Sequence, residues 1–131
     1  MVNPRKVYPV DPGLIAVYEG SGRSQIGHAL ETVVLLELER RGYDVSYVKV
    51  GDEWEVDFLA SAPGRETLLV QTCADTTNAG TMLREMRALE SAHEEHREAK
   101  AMLVTIDAQP PRGLVNKQVE WWPAARWLLE G

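Results

Sequence analysis

This chain goes without disulfides, basic excess and long apolar runs. Cys73 is its only cysteine, so no internal disulfide can form, and a reducing, cytoplasmic setting is expected. A membrane helix needs about 20 consecutive apolar residues, and no stretch approaches that length. The N-terminus also lacks the charged-then-apolar pattern of a signal peptide, so a soluble protein with no membrane partner is expected. Basic residues are scarce: 14 Lys and Arg against 20 Asp and Glu leave a formal net charge of −6. A strong non-specific grip on nucleic acid normally comes from a cationic excess that releases counterions. The charge balance therefore disfavours nucleic acid as a partner and leaves local patches as candidates: Arg5 with Lys6, Arg40 with Arg41, and Arg84 with Arg87. A phosphate loop of the form Gly-x-x-x-x-Gly-Lys-Ser/Thr is missing too; Gly20-Ser21-Gly22 has neither the lysine nor a preceding strand.

What is present is enough for one domain. The 131 residues can bury a real core but are too few for two domains. The reading is a single domain over 1–131, with an N-terminal extension over 1–23 and a core over 24–131. Lys6 to Val10 is a short extended run. Asp11-Pro12-Gly13 reads as a cap with proline in the first turn, leading into Leu14 to Tyr18. Glu19 to Arg23 is a flexible joint, and Ser24 is a plausible N-cap.

Gln25 to Arg41 carries the strongest helical pattern, with Ile26, Leu30, Val33, Val34 and Leu38 at helical spacing and Gly42 as the stop. Glu37 falls near the middle of the apolar arc, where a charge needs a partner, and Arg41 one turn later supplies one. Asp44 to Val50 and Trp54 to Ala60 read as strands joined at Gly51-Asp52-Glu53, a hairpin signal. Thr67 to Cys73 is a further short strand. Asn78 to Ala99 reads as a charged helix with Leu83, Met86, Leu89 and Ala92 facing inward. Ala101 to Ile106 is an apolar strand, Gln118 to Trp122 a last edge strand, and Pro123 opens a short helix through Leu129. This order gives an α/β domain with a mixed central sheet flanked by helices.

Two short motifs carry the chemistry. Glu55-Val56-Asp57-Phe58 sets an acid in one strand, and Gln71-Thr72-Cys73 places a polar-x-polar triplet in the next. With Lys6-Val7-Tyr8-Pro9-Val10-Asp11-Pro12-Gly13-Leu14, Gly27-His28-Ala29-Leu30-Glu31, Glu37-Leu38-Glu39-Arg40-Arg41-Gly42 and Val119-Glu120-Trp121-Trp122-Pro123, they follow one another in a recognisable order. In that order the chain resembles a domain of unknown function found at the C-terminus of bacterial and archaeal AAA-type ATPases, with the restriction-endonuclease-like core of the PD-(D/E)XK superfamily. The resemblance covers almost the full length and rests on the succession of motifs, since no single one is specific.

The resemblance implies a metal-dependent nuclease ancestry. Such sites hold Mg²⁺ or Mn²⁺ on carboxylates, and a lysine near the attacking water aids displacement. Glu31 would be the first-motif acid, Asp57 the central ligand, and Gln71 would stand where the second carboxylate belongs, its carbonyl a weak metal ligand. Cys73 occupies the lysine position and cannot act as a cation; Lys49 on the neighbouring strand is the candidate substitute. At about 100° per residue, Glu31 falls between Leu35 and Leu38, at the border of the apolar arc, consistent with a carboxylate facing a cleft. The plainer reading of Asp57 is a strand carboxylate bonded to a loop.

The departures at 71 and 73 point to a nuclease-derived accessory or interaction domain, catalytically impaired, that accompanies an AAA-type ATPase or another protein. The ATPase itself is not in this sequence, which is either a piece of a longer chain or a free-standing relative. The alternative is an active Mg²⁺-dependent nuclease with a relocated lysine; a third reading is a domain that binds nucleic acid without cutting it. His93-Glu94-Glu95-His96 suggests metal binding, yet two histidines three apart among charges read better as a solvated helix face. Cys73 as a nucleophile has no histidine nearby in sequence, and a small buried strand residue is the usual case. Trp54, Trp121, Trp122 and Trp127 lack interleaved basic residues for base stacking and are expected mainly in the core, with one of Trp121 and Trp122 exposed as a docking residue.

Overall fold

A computed structural model describes residues 5–9, 25–50, 54–111 and 117–131. The expectations for 10–24 and for the turn at 51–53 lie outside the described residues, as does the side chain of Trp54. Within them the chain forms β1 (Arg5–Pro9), α1 (Gln25–Arg40), β2 (Asp44–Val50), β3 (Trp54–Ser61), β4 (Leu68–Cys73), α2 (Ala79–Glu95), β5 (Lys100–Thr105), β6 (Val119–Pro123) and α3 (Ala124–Glu130). The strands lie side by side in chain order. β1 to β4 pair antiparallel, while β4, β5 and β6 are parallel. This is the mixed sheet the strand and helix pattern predicts.

Alternation along the strands divides the core into two layers. Phe58, Ala60, Val70, Met102 and Val104 meet Leu30, Val34 and Leu38 of α1 and Trp127 of α3 on one face. Val56, Leu69, Cys73, Ala101 and Leu103 meet Met82, Met86, Leu89 and Ala92 of α2 on the other. Each fully buried leucine or valine contributes about 1.5–3 kcal/mol relative to exposure, so the two layers hold the helices against the sheet.

The helix ends follow their local chemistry. Gly42 adopts φ 92°, donates to the Glu39 carbonyl at 2.9 Å, and lets Tyr43 donate to Leu38 at 3.1 Å. This paired closure satisfies carbonyls that α1 would otherwise leave open. Asn78 caps α2 by accepting from the Thr81 N–H at 3.0 Å. The expected run to Ala99 stops at Glu95, because His96 leaves helical geometry at φ −124° and the His93 ring bonds the Ala99 carbonyl at 3.0 Å. The histidine pair thus shapes the helix exit.

The inward face of α2 matches the expectation at Met86, Leu89 and Ala92 and departs from it at Leu83. Met82, Met86 and Leu89 form the inward row, and Leu83, expected inside, is 54% exposed. Met82 takes the inward place beside it, and Glu85 is half-buried next to the same row. At the far edge, Trp121 packs beside one core and Trp122 beside the other. Neither is exposed, which corrects the expectation of a free docking tryptophan.

The ion pair expected at Glu37 is present, and it reaches further than α1. Arg41 Nε donates to Glu37 at 2.7 Å and its Nη2 to the Trp127 carbonyl at 2.7 Å. Its guanidinium also lies 4.4 Å from the centre of the Trp127 ring. Arg40 bonds the same carboxylate through two nitrogens; Arg40 first, then Arg41, hold the Glu37 carboxyl down at about 2.

Candidate functional site where two strands part

The ladder between β3 and β4 runs through Ala60–Leu68, Leu59–Leu69 and Phe58–Val70, where the described pairing ends. β4 continues beside β5 as far as Cys73–Thr105. On the other side of β3, Ser46 pairs with Leu59 and Val48 with Val56, so Tyr47 alone spans Asp57 and Phe58. That extra residue is a β-bulge, which breaks pairing locally and re-aims a side chain. Asp57 therefore sits where β3 is bulged on one side and leaves its neighbour on the other.

Side chains bridge the gap. The Asp57 backbone N–H donates to Gln71 Oε1 at 2.8 Å. In return, the Thr72 N–H and hydroxyl both donate to Asp57 Oδ2, at 2.8 and 2.7 Å. Each strand lends a side chain to the other's backbone. Gln71 is 2% exposed, and its amide nitrogen donates to Glu85 Oε2 of α2. A buried amide with both ends satisfied is stable in place.

The electrostatics are acidic throughout. Loss of water pushes the Asp57 carboxyl up to about 6; the two Thr72 bonds oppose this and the Glu55 charge adds to it. Burial, then the charge on Asp57, pushes Glu85 up to about 7, with Arg84 pulling the other way. Burial, then Glu85, raises the Cys73 thiol to about 11, and its Sγ donates to the Asp75 carbonyl at 3.3 Å. At neutral pH that thiol is uncharged, so it serves neither as a nucleophile nor as a cation.

Of the residues singled out in the sequence, Asp57 and Gln71 come together directly, and Cys73 lies beyond Gln71 on the same strand. Glu31 is half-buried on α1, whose layer covers the sheet face of Val70 and, by alternation along β4, of Thr72, the partner of Asp57. Lys49 is exposed and lies across from Glu55 in the β2–β3 register; it is not among the charges that shift Asp57. Two participants, Thr72 and Glu85, were not anticipated. Glu85 had a visible signal: it lies three residues after Met82 and four before Leu89, on the buried row of α2.

Part of the expected metal centre is already engaged within the protein. Asp57 Oδ2 and Gln71 Oε1 are both engaged by backbone donors. A neutral thiol stands at the lysine position. Among the described residues, no group of three or more His, Cys, Asp or Glu side chains is placed to hold a metal ion. No helix among them is long and apolar enough to cross a membrane.

Comparison with known proteins bears on ancestry. No curated protein and no solved structure matches the chain. The model of a family described as restriction endonuclease, Mrr_cat, matches residues 23–110, a span that takes in α1, both strands of the parting, α2 and β5. An α/β domain with Asp57 and Gln71 on adjacent parted strands agrees with that match: the chain belongs to the restriction endonuclease family.

Proposed function

We propose that this chain is a nuclease-derived domain that no longer cleaves and works as an accessory or interaction module beside an AAA-type ATPase or another protein. The observation that carries the loss of cleavage is the engagement of Asp57 and Gln71 with each other's strand. Those bonds occupy Asp57 Oδ2 and Gln71 Oε1, two of the oxygens a divalent ion would use, and the neutral Cys73 thiol supplies no positive charge to a phosphate. The link to an ATPase rests on the succession of sequence motifs from Lys6 to Pro123. The overall charge of −6 favours a protein partner over nucleic acid.

Isothermal titration with Mn²⁺ and Mg²⁺, on the wild type and Asp57→Asn, tests the impairment, followed by cleavage assays on DNA and RNA. The expected result is no saturable binding and no metal-dependent cleavage by either protein. Binding and cleavage that vanish together in Asp57→Asn would establish the alternative, an active Mg²⁺-dependent nuclease with its cation supplied from elsewhere.

A further inference from the structure

The donors that cover the oxygens of the site are not equivalent. Asp57 Oδ2 accepts from the Thr72 N–H and from the Thr72 hydroxyl. Gln71 Oε1 accepts from the Asp57 N–H, and Glu85 Oε2 accepts from the Gln71 amide. The two backbone N–H groups move only if a strand moves. The Gln71 amide is buried and bonded at both ends. The Thr72 hydroxyl differs from all three: it is a single side-chain group on a rotatable bond.

Its direction matters as well. Val70 packs in the α1 layer and Leu69 and Cys73 in the α2 layer. By alternation along β4, Thr72 therefore stands on the α1 face and Gln71 on the other. A carboxylate oxygen has lone pairs for about two close donors, and both places on Asp57 Oδ2 are taken, at 2.8 and 2.7 Å. A divalent ion on that oxygen has to displace one of the two. The N–H is fixed in β4, so only the hydroxyl can give way. A hydrogen bond to a charged group is worth a factor of roughly 10 to 150 in an equilibrium constant, and this is the handicap an ion meets there.

We propose that the Thr72 hydroxyl is the group that keeps a divalent ion off Asp57, by supplying the positive end of a dipole where the ion would bring its charge. This deepens the reading of an impaired site, on which it rests, and divides the impairment in two. Thr72 acts through Asp57, as a positioning residue, and closes the carboxylate to metal. Cys73 accounts for a separate loss, that of the cation that would face a phosphate. Metal binding is then recoverable by one substitution at Thr72, while cleavage is not. Mg²⁺ and Mn²⁺ are commonly held by one or two carboxylates with water completing the shell, so a freed Asp57 is enough for weak binding.

Calorimetric titration of the full chain with Mn²⁺ at pH 8 tests the proposal, since Asp57, held up at about 6 chiefly by burial, is ionised there. The proteins compared are the wild type, Thr72→Ala, Thr72→Ser, and Thr72→Ala combined with Asp57→Asn. Thr72→Ala is expected to bind at least about 10-fold more tightly than the wild type. Thr72→Ser keeps the hydroxyl and is expected to behave as the wild type, and the double variant is expected to lose what Thr72→Ala gains. No gain in Thr72→Ala, or an equal gain in Thr72→Ser, overturns the proposal, the second because a smaller side chain would then be the cause. One measurement needs no variant: proton NMR of the wild type at low temperature is expected to show a slowly exchanging Thr72 hydroxyl proton. Exchange at the rate of a free hydroxyl overturns the proposal even if Thr72→Ala does not fold. A wild type that binds Mn²⁺ and cuts DNA defeats the impaired-site reading itself, whereas a Thr72→Ala protein that gains nothing defeats only the role given to the hydroxyl.

Discussion

Thr72 contacts Asp57 twice, and both contacts end on the same oxygen: its N–H and its hydroxyl reach Asp57 Oδ2 at 2.8 and 2.7 Å. That oxygen is held by the neighbouring strand where the ladder rungs between β3 and β4 cease. The acid most readily taken for a catalytic group is thus fastened into the backbone architecture.

Replacing Thr72 by Val keeps the shape and the N–H but removes the hydroxyl. A hydrogen bond to a charged group contributes about 1.5–3 kcal/mol, so Thr72→Val is expected to lose about that much stability at pH 8, where Asp57 is ionised. The loss should shrink at pH 4, where the carboxyl is neutral. Urea unfolding at the two pH values measures both; equal stability of the two proteins at pH 8 would show the bond to be incidental.

The pH profile of stability follows from the raised carboxyls. Asp57 moves from 3.8 to about 6 and Glu85 from 4.5 to about 7. Between roughly pH 4 and pH 7 these two carboxyls therefore hold more protons in the folded chain than in the unfolded one, and their contribution to stability falls as pH rises. The contribution of these groups is fully present below pH 4 and lost as pH passes 7. Glu85→Gln keeps an acceptor for Gln71 and removes the charge. It is expected to raise the melting temperature at pH 8, to change little at pH 5, and to flatten the profile between. A melting temperature unchanged at pH 8 would mean that Glu85 carries its charge there without cost.

Cys73 offers a chemical test of its surroundings. Burial and the nearby Glu85 hold the thiol up at about 11, and the thiolate is the reactive form. A disulfide reagent at pH 8 is expected to modify the folded chain far more slowly than the chain in denaturant. Prompt modification of the folded protein would place Cys73 in an open, activated pocket instead.

The sequence was most legible where one local rule acted alone. The α1 stop at Gly42, the strand at Asp44–Val50 and the Glu37–Arg41 pair each depend on a few neighbouring residues. On α2 the inward row was read correctly at Met86, Leu89 and Ala92, and Leu83 was misassigned because its neighbour Met82 is also apolar and only packing against the sheet decides which faces inward. The site was half legible. Asp57 and Gln71 are neighbours because adjacent strands bring them together, as the motif order implies. The bulge opposite Tyr47 and the reach of Glu85 across to Gln71 arise from tertiary registration, which no spacing along the chain encodes.

The spatial order of the strands, β1 to β6, is also their order of synthesis. A chain emerging from its N-terminus can lay each new strand against the one just completed, and no strand has to be inserted between two already paired. Only the two parallel joins, β4 to β5 and β5 to β6, require the chain to cross back before pairing, and parallel pairing is the slow part of sheet assembly. The antiparallel half, β1 to β4, can therefore form while the rest is still being made, and it already contains both Asp57 and Gln71. The parting between them would then be set before α2 arrives to place Glu85 beneath it.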